Sequence, residues 1–130
     1  MTIPNRYYKF ARAALELAGA LDNGMTHQLC SLVVSKNQVL SVGYNSRKTH
    51  TMMSDSKMNM IHAECDALLR CASPKGVDVV VARAKPSGLP GLAKPCEVCE
   101  GILRRSGVRR VIYTTNCDSV DDMQLEEMRL

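Results

Sequence analysis

Val77-Asp78-Val79-Val80-Val81-Ala82-Arg83-Ala84, then Pro95-Cys96-Glu97-Val98-Cys99-Glu100-Gly101-Ile102-Leu103-Arg104-Arg105, then Arg109-Arg110-Val111-Ile112-Tyr113-Thr114-Thr115, decide the fold. The first and third pieces are short, largely β-branched runs, and both read as strands. The middle piece reads as a helix. Pro95 sits before or at its first turn, where the missing N–H costs nothing, and Ser106-Gly107 stops it near Arg105. A strand, a helix and a strand in this order predict a parallel pair joined by a right-handed crossover.

Upstream, Tyr7, Phe10, Ala11, Ala14, Leu15, Ala18 and Leu21 fall at helical spacing, which predicts an amphipathic helix over 5–21, stopped by Asp22-Asn23-Gly24. Residues 29–35 and 39–44 read as strands around a Lys36-Asn37 turn, an antiparallel hairpin. Residues 45–61 are polar, Met-rich and without a period. A loop of that length in a compact domain usually has a function or moves. Residues 62–72 predict a second helix, closed by Ser73-Pro74-Lys75-Gly76, and 85–94, with Pro86, Gly88, Pro90 and Gly91, a second long loop. Only fifteen residues follow Thr115. A parallel fifth strand needs a crossover of about a dozen residues before it, so an antiparallel return through Asn116-Cys117-Asp118-Ser119 is expected, with a short helix the alternative. The expected fold is a three-layer α/β/α domain spanning 1–130, with a mixed sheet of about five strands, the last antiparallel.

The 130 residues include 45% apolar residues but one Phe, four Tyr and no Trp, so the core must rest on aliphatic side chains. The N-terminus has no apolar run after a basic start, and no stretch approaches the ~20 apolar residues of a membrane span. A soluble, cytoplasmic protein without membrane contacts is expected. Six cysteines in such a chain are expected to be reduced, with a pair serving a metal. Cys30, Cys65, Cys71 and Cys117 read as small buried hydrophobes. The net charge of +4 is uneven: residues 118–130 hold five acids and one base, whereas residues 1–117 hold sixteen bases against eight acids. A basic body suits an anionic ligand.

Chemistry enters with His62-Ala63-Glu64 and Pro95-Cys96-Glu97-Val98-Cys99. Cys96 and Cys99, three apart on a helix, share a face, and His62 opens the other helix. One imidazole and two thiolates suit zinc, and three protein ligands leave the fourth position open, as in catalytic sites. Cys-x-x-Cys alone also occurs in redox and structural zinc sites. A structural site with a fourth ligand from His27, His50, Cys65 or Cys117 is the competing arrangement, but it leaves Glu64 unused. A zinc ion lowers the pKa of a water from ~15.7 toward ~7. A carboxylate beside the ion, but not bound to it, can move the protons of a hydrolytic deamination.

With these residues the chain resembles the cytidine and deoxycytidylate deaminase superfamily. The likeness runs through the first helix, the first hairpin, Gly43-Tyr44-Asn45, His62-Ala63-Glu64, Pro95 to Cys99, and Ser106 to Tyr113. It implies zinc ligands at His62, Cys96 and Cys99, a proton shuttle at Glu64, a base contact from the Ala63 backbone, and a sugar or base contact from Asn45. Arg47 and Lys48, with Thr49 and His50, are candidates for holding a 5′-phosphate; Lys85 and Lys94 are weaker ones. Two features depart from the family pattern: the 84–94 insertion before Pro95, expected to border the pocket, and the short C-terminus. Deaminases of tRNA or single-stranded DNA carry further C-terminal elements. The short tail therefore favours a nucleoside or nucleotide, above all dCMP, over a polynucleotide. A homo-oligomer is what the resemblance implies. The remaining alternative is a non-catalytic zinc-stabilised binding module.

Overall fold

The computed structural model describes residues 3–21, 27–46, 54–55 and 60–130. Helix α1 spans Asn5–Gly19, and strands β1 (Gln28–Ser35) and β2 (Gln38–Tyr44) form the expected antiparallel hairpin. Lys36 turns it with φ of 58°. The expected stop at Asp22-Asn23-Gly24 lies outside the described residues. Inside the segment read as loop, Ser54–Asp55 (β3) and Met60–Ile61 (β4) pair as a two-residue ladder. Helix α2 (Ala63–Leu69), strand β5 (Asp78–Ala84), helix α3 (Glu97–Arg105) and strand β7 (Arg110–Thr114) follow at the expected places. The 85–94 loop holds one further short strand, β6 (Pro90–Gly91), paired antiparallel with Arg83 and Ala84.

The main sheet runs β2-β1-β5-β7-β8, with β6 added beside β5 as a sixth strand. Strands β5 and β7 are the parallel pair that α3 connects. The last strand, β8 (Leu125–Arg129), returns antiparallel to β7. The return is longer than a tight turn at 116–119, because Met123 is buried in the core and the connection must carry it there. A period of two then organises the tail. Leu125 packs on the α1 side of the sheet, while Met128 and Leu130 pack on the other.

The same alternation splits β5 and β7. Val80, Ala82 and Ile112 face α1, together with Tyr7, Ala11, Ala14 and Leu15. Val79, Val81, Val111 and Tyr113 face α2 and α3. Both sheet faces are thereby covered, giving the three layers. Helix α1 buries alanines, which let it lie close to the sheet where larger side chains would hold it away. Among the described residues no helix is long and apolar enough to cross a membrane.

One polar cluster ties the layers at the edge of the sheet away from Pro95. Asp78, at the start of β5, accepts hydrogen bonds from Tyr7 Oη, from Arg109 Nε at 3.0 Å and from Arg109 Nη2 at 2.9 Å. Arg110 Nε lies 3.2 Å from Asp78 Oδ1, and Arg110 Nη1 donates to Glu127 Oε1 at 3.1 Å. The Arg110 guanidinium also lies over the Tyr7 ring, 4.8 Å from its centre. Burial alone would raise the Asp78 pKa. The hydrogen bonds from Arg109 and Tyr7 and the charge of Arg110 outweigh it, and the carboxyl is held below its ordinary value.

Removing one partner of a buried ion cluster leaves uncompensated charge. Asp78→Asn should therefore destabilise the fold by about 3 kcal/mol, read as a lower denaturant midpoint. The native carboxyl binds its proton less tightly than the unfolded one. Its stabilisation is thus present above the unfolded pKa near ~3.9 and is lost as pH falls through the lower folded value. The variant should show a flatter acid limb than the native chain.

Candidate active site

His62 and Cys96 both stand at helix starts. His62 is the N-cap residue of α2, extended at φ −82° and ψ 155°, and Cys96 is the N-cap of α3 at φ −73° and ψ 168°. Cys99 follows in the first turn of α3. Because the two helices lie on the same face of the sheet, their first turns meet. His62 Nδ1 is 3.1 Å from Cys99 Sγ and 3.7 Å from Cys96 Sγ. The three donor atoms all lie within 4.8 Å of one another. With Zn–S near ~2.3 Å and Zn–N near ~2.05 Å, tetrahedral angles require N···S separations of about 3.5 Å, and the two observed values bracket that figure.

Among the described residues no other such group of His, Cys, Asp and Glu forms. The competing fourth ligands are placed elsewhere. His27 Nδ1 engages Arg83, and Cys117 Sγ accepts from the Gln124 N–H. Cys65 Sγ touches Cys99 Sγ at 3.7 Å without joining the triangle, and His50 lies outside the described residues. The chemistry of the donor set fits a divalent cation. The hydrogen bond of the Cys99 thiol to Cys65, burial and the neighbouring Glu64 carboxyl all push that thiol upward, and a bound cation is what would reverse that.

Glu64, the second residue of α2, is 3% exposed. Burial pushes its carboxyl above the usual carboxylate range, against the pull of a backbone hydrogen bond, of His62 and of Cys99. It stands next to the metal-capable triangle without belonging to it.

Helix α2 is held in place by β2. Ser41 Oγ donates to Ala67 O at 2.7 Å, and the Tyr44 N–H donates to Asp66 Oδ2 at 3.0 Å. At Gly43 the backbone passes so close that a Cβ would lie 2.7 Å from Ala67 Cα, with harder clashes against Ala67 N and Ala63 O. Asn45, buried at the end of β2, bridges the strand's approach to β1. Its Oδ1 accepts from the Leu29 N–H at 3.0 Å and its Nδ2 donates to His27 O at 2.7 Å.

Above the triangle lies a cleft of about 250 Å³. Asn45, His62, Ala63, Glu64 and Cys96 form one part of its wall, His27, Leu29 and Arg83 another, and Leu92, Ala93 and Lys94 of the insertion the rest. The insertion is pinned there by the Ala93 N–H on Thr114 O and the Leu92 N–H on Asn116 Oδ1. Asn45, Ala63 and Glu64 thus share one cleft with His62 and Cys96, while Cys99 is buried behind it. Arg47, Lys48, Thr49 and His50 lie outside the described residues, and Lys85 does not line the cleft. Tyr44 and Tyr113 are packed into the two cores. The sequence reading passed over Arg83 and Asp66. An arginine inside the run Val79-Val80-Val81-Ala82-Arg83-Ala84, at the carboxyl end of a strand where open α/β sheets bind ligands, was the available signal for the first.

The model of the cytidine and deoxycytidylate deaminase zinc-binding region matches residues 4–115. The chain belongs to this family. No curated protein sequence matches it significantly. Among solved structures it is similar to the dCMP deaminase of the cyanophage S-TIM5 in apo form, at 21% identity and a TM-score of 0.57, covering 93% of this chain and 90% of that one. The same phage enzyme in complex with dCMP and dUMP gives 20% identity and a TM-score of 0.57, covering 93% and 89%. Acinetobacter baumannii RibD gives 17% identity and a TM-score of 0.56, over 85% of this chain and 28% of that one. At these identities the likeness is one of fold.

Gly43→Ala tests the placement of α2. Forcing a methyl against helix backbone should cost about 3 kcal/mol or more and lower the thermal midpoint. Gly43→Ser should behave alike, whereas Gly88→Ala, with open space around it, should cost far less, about 1 kcal/mol from its positive φ.

Proposed function

We propose that this deaminase-family chain hydrolyses the exocyclic amine of a cytosine nucleoside or nucleotide, above all dCMP to dUMP, releasing ammonia. The observation that carries the reading is the buried carboxyl of Glu64 on the cleft wall, beside three convergent soft donors that leave it uncoordinated. His62 Nδ1, Cys96 Sγ and Cys99 Sγ would hold a zinc ion. When bound, that ion supplies the Lewis acidity that makes a water nucleophilic at neutral pH.

The chain's own residues do the proton work. Glu64 takes a proton from the attacking water, passes it to the ring nitrogen and then assists departure of ammonia, so that cytosine and water give uracil and ammonia. Burial raises its pKa, which strengthens it as a base toward the water's proton and helps it hold that proton between the two transfers. Ala63, 1% exposed at the start of α2, offers backbone to the base, and Asn45 borders the sugar or base. A cleft of about 250 Å³ lies near the lower limit of small-molecule sites. Its described lining holds no Phe, Tyr or Trp. Polynucleotide deaminases stack the target base on such rings, so a small substrate is the better fit. The phage enzyme of the same fold was solved with dCMP and dUMP, which supports the nucleotide.

The test is ammonia release from cytosine, cytidine, deoxycytidine, dCMP, dCTP and adenosine. Glu64→Ala should keep the fold and one zinc per chain yet lose at least ~10³-fold in turnover, within the range of general acid–base catalysis. Full turnover in that variant removes Glu64 from the mechanism. In a second measurement, chelation should abolish activity and zinc should restore it. Cys96→Ser and His62→Ala should each lower the bound zinc well below one per chain, whereas Cys117→Ser should not.

A further inference from the structure

We propose that Arg83, assisted by Lys94 and His27, forms a phosphomonoester subsite in this cleft, so that the protein selects nucleotides over nucleosides. The inference deepens the deaminase reading and rests on it for the identity of the base.

The argument begins with strand alternation. On β5, Val79 and Val81 face α2 and α3, and Arg83, two residues on, points to that same face. Its stem runs over Gly91 of β6, where a Cβ would lie 3.1 Å from Arg83 Cδ. Gly91 therefore leaves the room that lets the guanidinium reach the cleft.

Five other arginines, Arg70, Arg104, Arg109, Arg110 and Arg129, each pair with a carboxylate. Arg83 is half-buried and has no carboxylate partner among the described residues. Its Nε–H is buried and makes no hydrogen bond among them. A half-buried guanidinium with no acid beside it carries a charge that neither full hydration nor a counter-ion offsets, and a bound anion would supply that counter-ion.

The contact with His27 fixes a further donor. Arg83 Nη2 lies 2.8 Å from His27 Nδ1. A guanidinium cannot accept a hydrogen bond, so His27 Nδ1 accepts and the ring proton sits on Nε2. The Arg83 guanidinium, His27 Nε2 and the exposed Lys94 ammonium then bring donors to one cleft wall. A phosphomonoester dianion carries three acceptor oxygens, and an arginine fork pairs with them bidentately. A nucleoside offers nothing comparable.

The test reads the ratio of kcat/KM for dCMP to kcat/KM for deoxycytidine. Arg83→Met retains the stem over Gly91, and zinc content and circular dichroism verify that it folds. The ratio should fall at least ~30-fold in Arg83→Met, as expected for two lost charge-assisted hydrogen bonds, and partly recover in Arg83→Lys. Lys94→Met, an exposed change that carries the test if Arg83→Met does not fold, should lower the ratio several-fold. An unchanged ratio in whichever of these variants folds overturns the subsite and leaves the deaminase reading standing. If the native protein deaminates no cytosine compound, that reading fails by itself. The subsite is then decided by titrating 2-deoxyribose 5-phosphate and following its phosphorus resonance. Affinity at least ~10-fold weaker in Arg83→Met, or several-fold weaker in Lys94→Met, upholds it. Equal affinity overturns it, as does a native protein that binds no phosphorylated sugar or that prefers a phosphodiester oligonucleotide.

Discussion

Backbone-to-backbone contact between β2 and α2 is the constraint from which the site follows. Only a hydrogen atom fits at Gly43, and the hydrogen bonds of Ser41 and Tyr44 to the middle of α2 leave the helix no freedom to slide. Position along the helix axis is what matters here. His62 caps the helix and Glu64 lies in its first turn, so a shift of one residue, about 1.5 Å, would move both relative to Cys96 and Cys99. Helix α3 is set independently, by the crossover between β5 and β7. The triangle of donors therefore exists only because two helices, registered by different strands, present their first turns at one edge of the sheet.

That convergence creates an electrostatic problem whose solution is a cation. Two thiols, a neighbouring third thiol and a buried carboxyl are crowded together, and Cys65, burial, Glu64 and Cys96 all raise the cost of ionising Cys99. In a fold selected for stability alone, such a cluster would be replaced by aliphatic side chains of similar size. Aliphatic packing does surround it: Cys65, Ala67, Leu68, Ile102 and Leu103 belong to one buried cluster with Cys99. The donors thus occupy the border between a dry core and an open cleft. A divalent ion bound there would offset the loss of ordinary packing.

Much of this was legible in the sequence, and the limits have a physical basis. Local signals placed the hairpin, the helices that carry the candidate ligands and the parallel pair within a few residues, because turn chemistry, capping and strand alternation act over short spans. The last strand also runs in the expected direction, antiparallel to β7. What escaped depends on contacts distant in sequence. Nothing near Tyr7 announces that its hydroxyl meets Asp78, 71 residues away. Arg83 reads as an oddity in an apolar strand until β1 and the insertion are folded around it. Asn45 shows the same limit in reverse. Its position after β2 was readable, but the side chain's hold on His27 and Leu29 backbone was not, and that hold makes it part of the cleft's frame.

The two ends of β5 show how one strand serves opposite needs. Asp78 and Arg83 are five residues apart, roughly 16 Å along an extended chain, and the odd interval turns them to opposite faces. At the Asp78 end every charge is answered: Arg109, Arg110, Tyr7 and Glu127 close a network that ties α1, β5, β7 and β8 together. At the Arg83 end, among the described residues, the cation has the His27 imidazole beside it and no carboxylate. Net charge alone suggested a diffusely basic body, yet several of those bases are spent on internal ion pairs. Charge left over at the cleft, on Arg83 and Lys94, is the portion available to a ligand. It sits at the carboxyl end of the strand, on the face that carries the metal-capable donors. An anionic group and a reacting base would therefore be drawn into the same cleft, so that recognition of the first also positions the second.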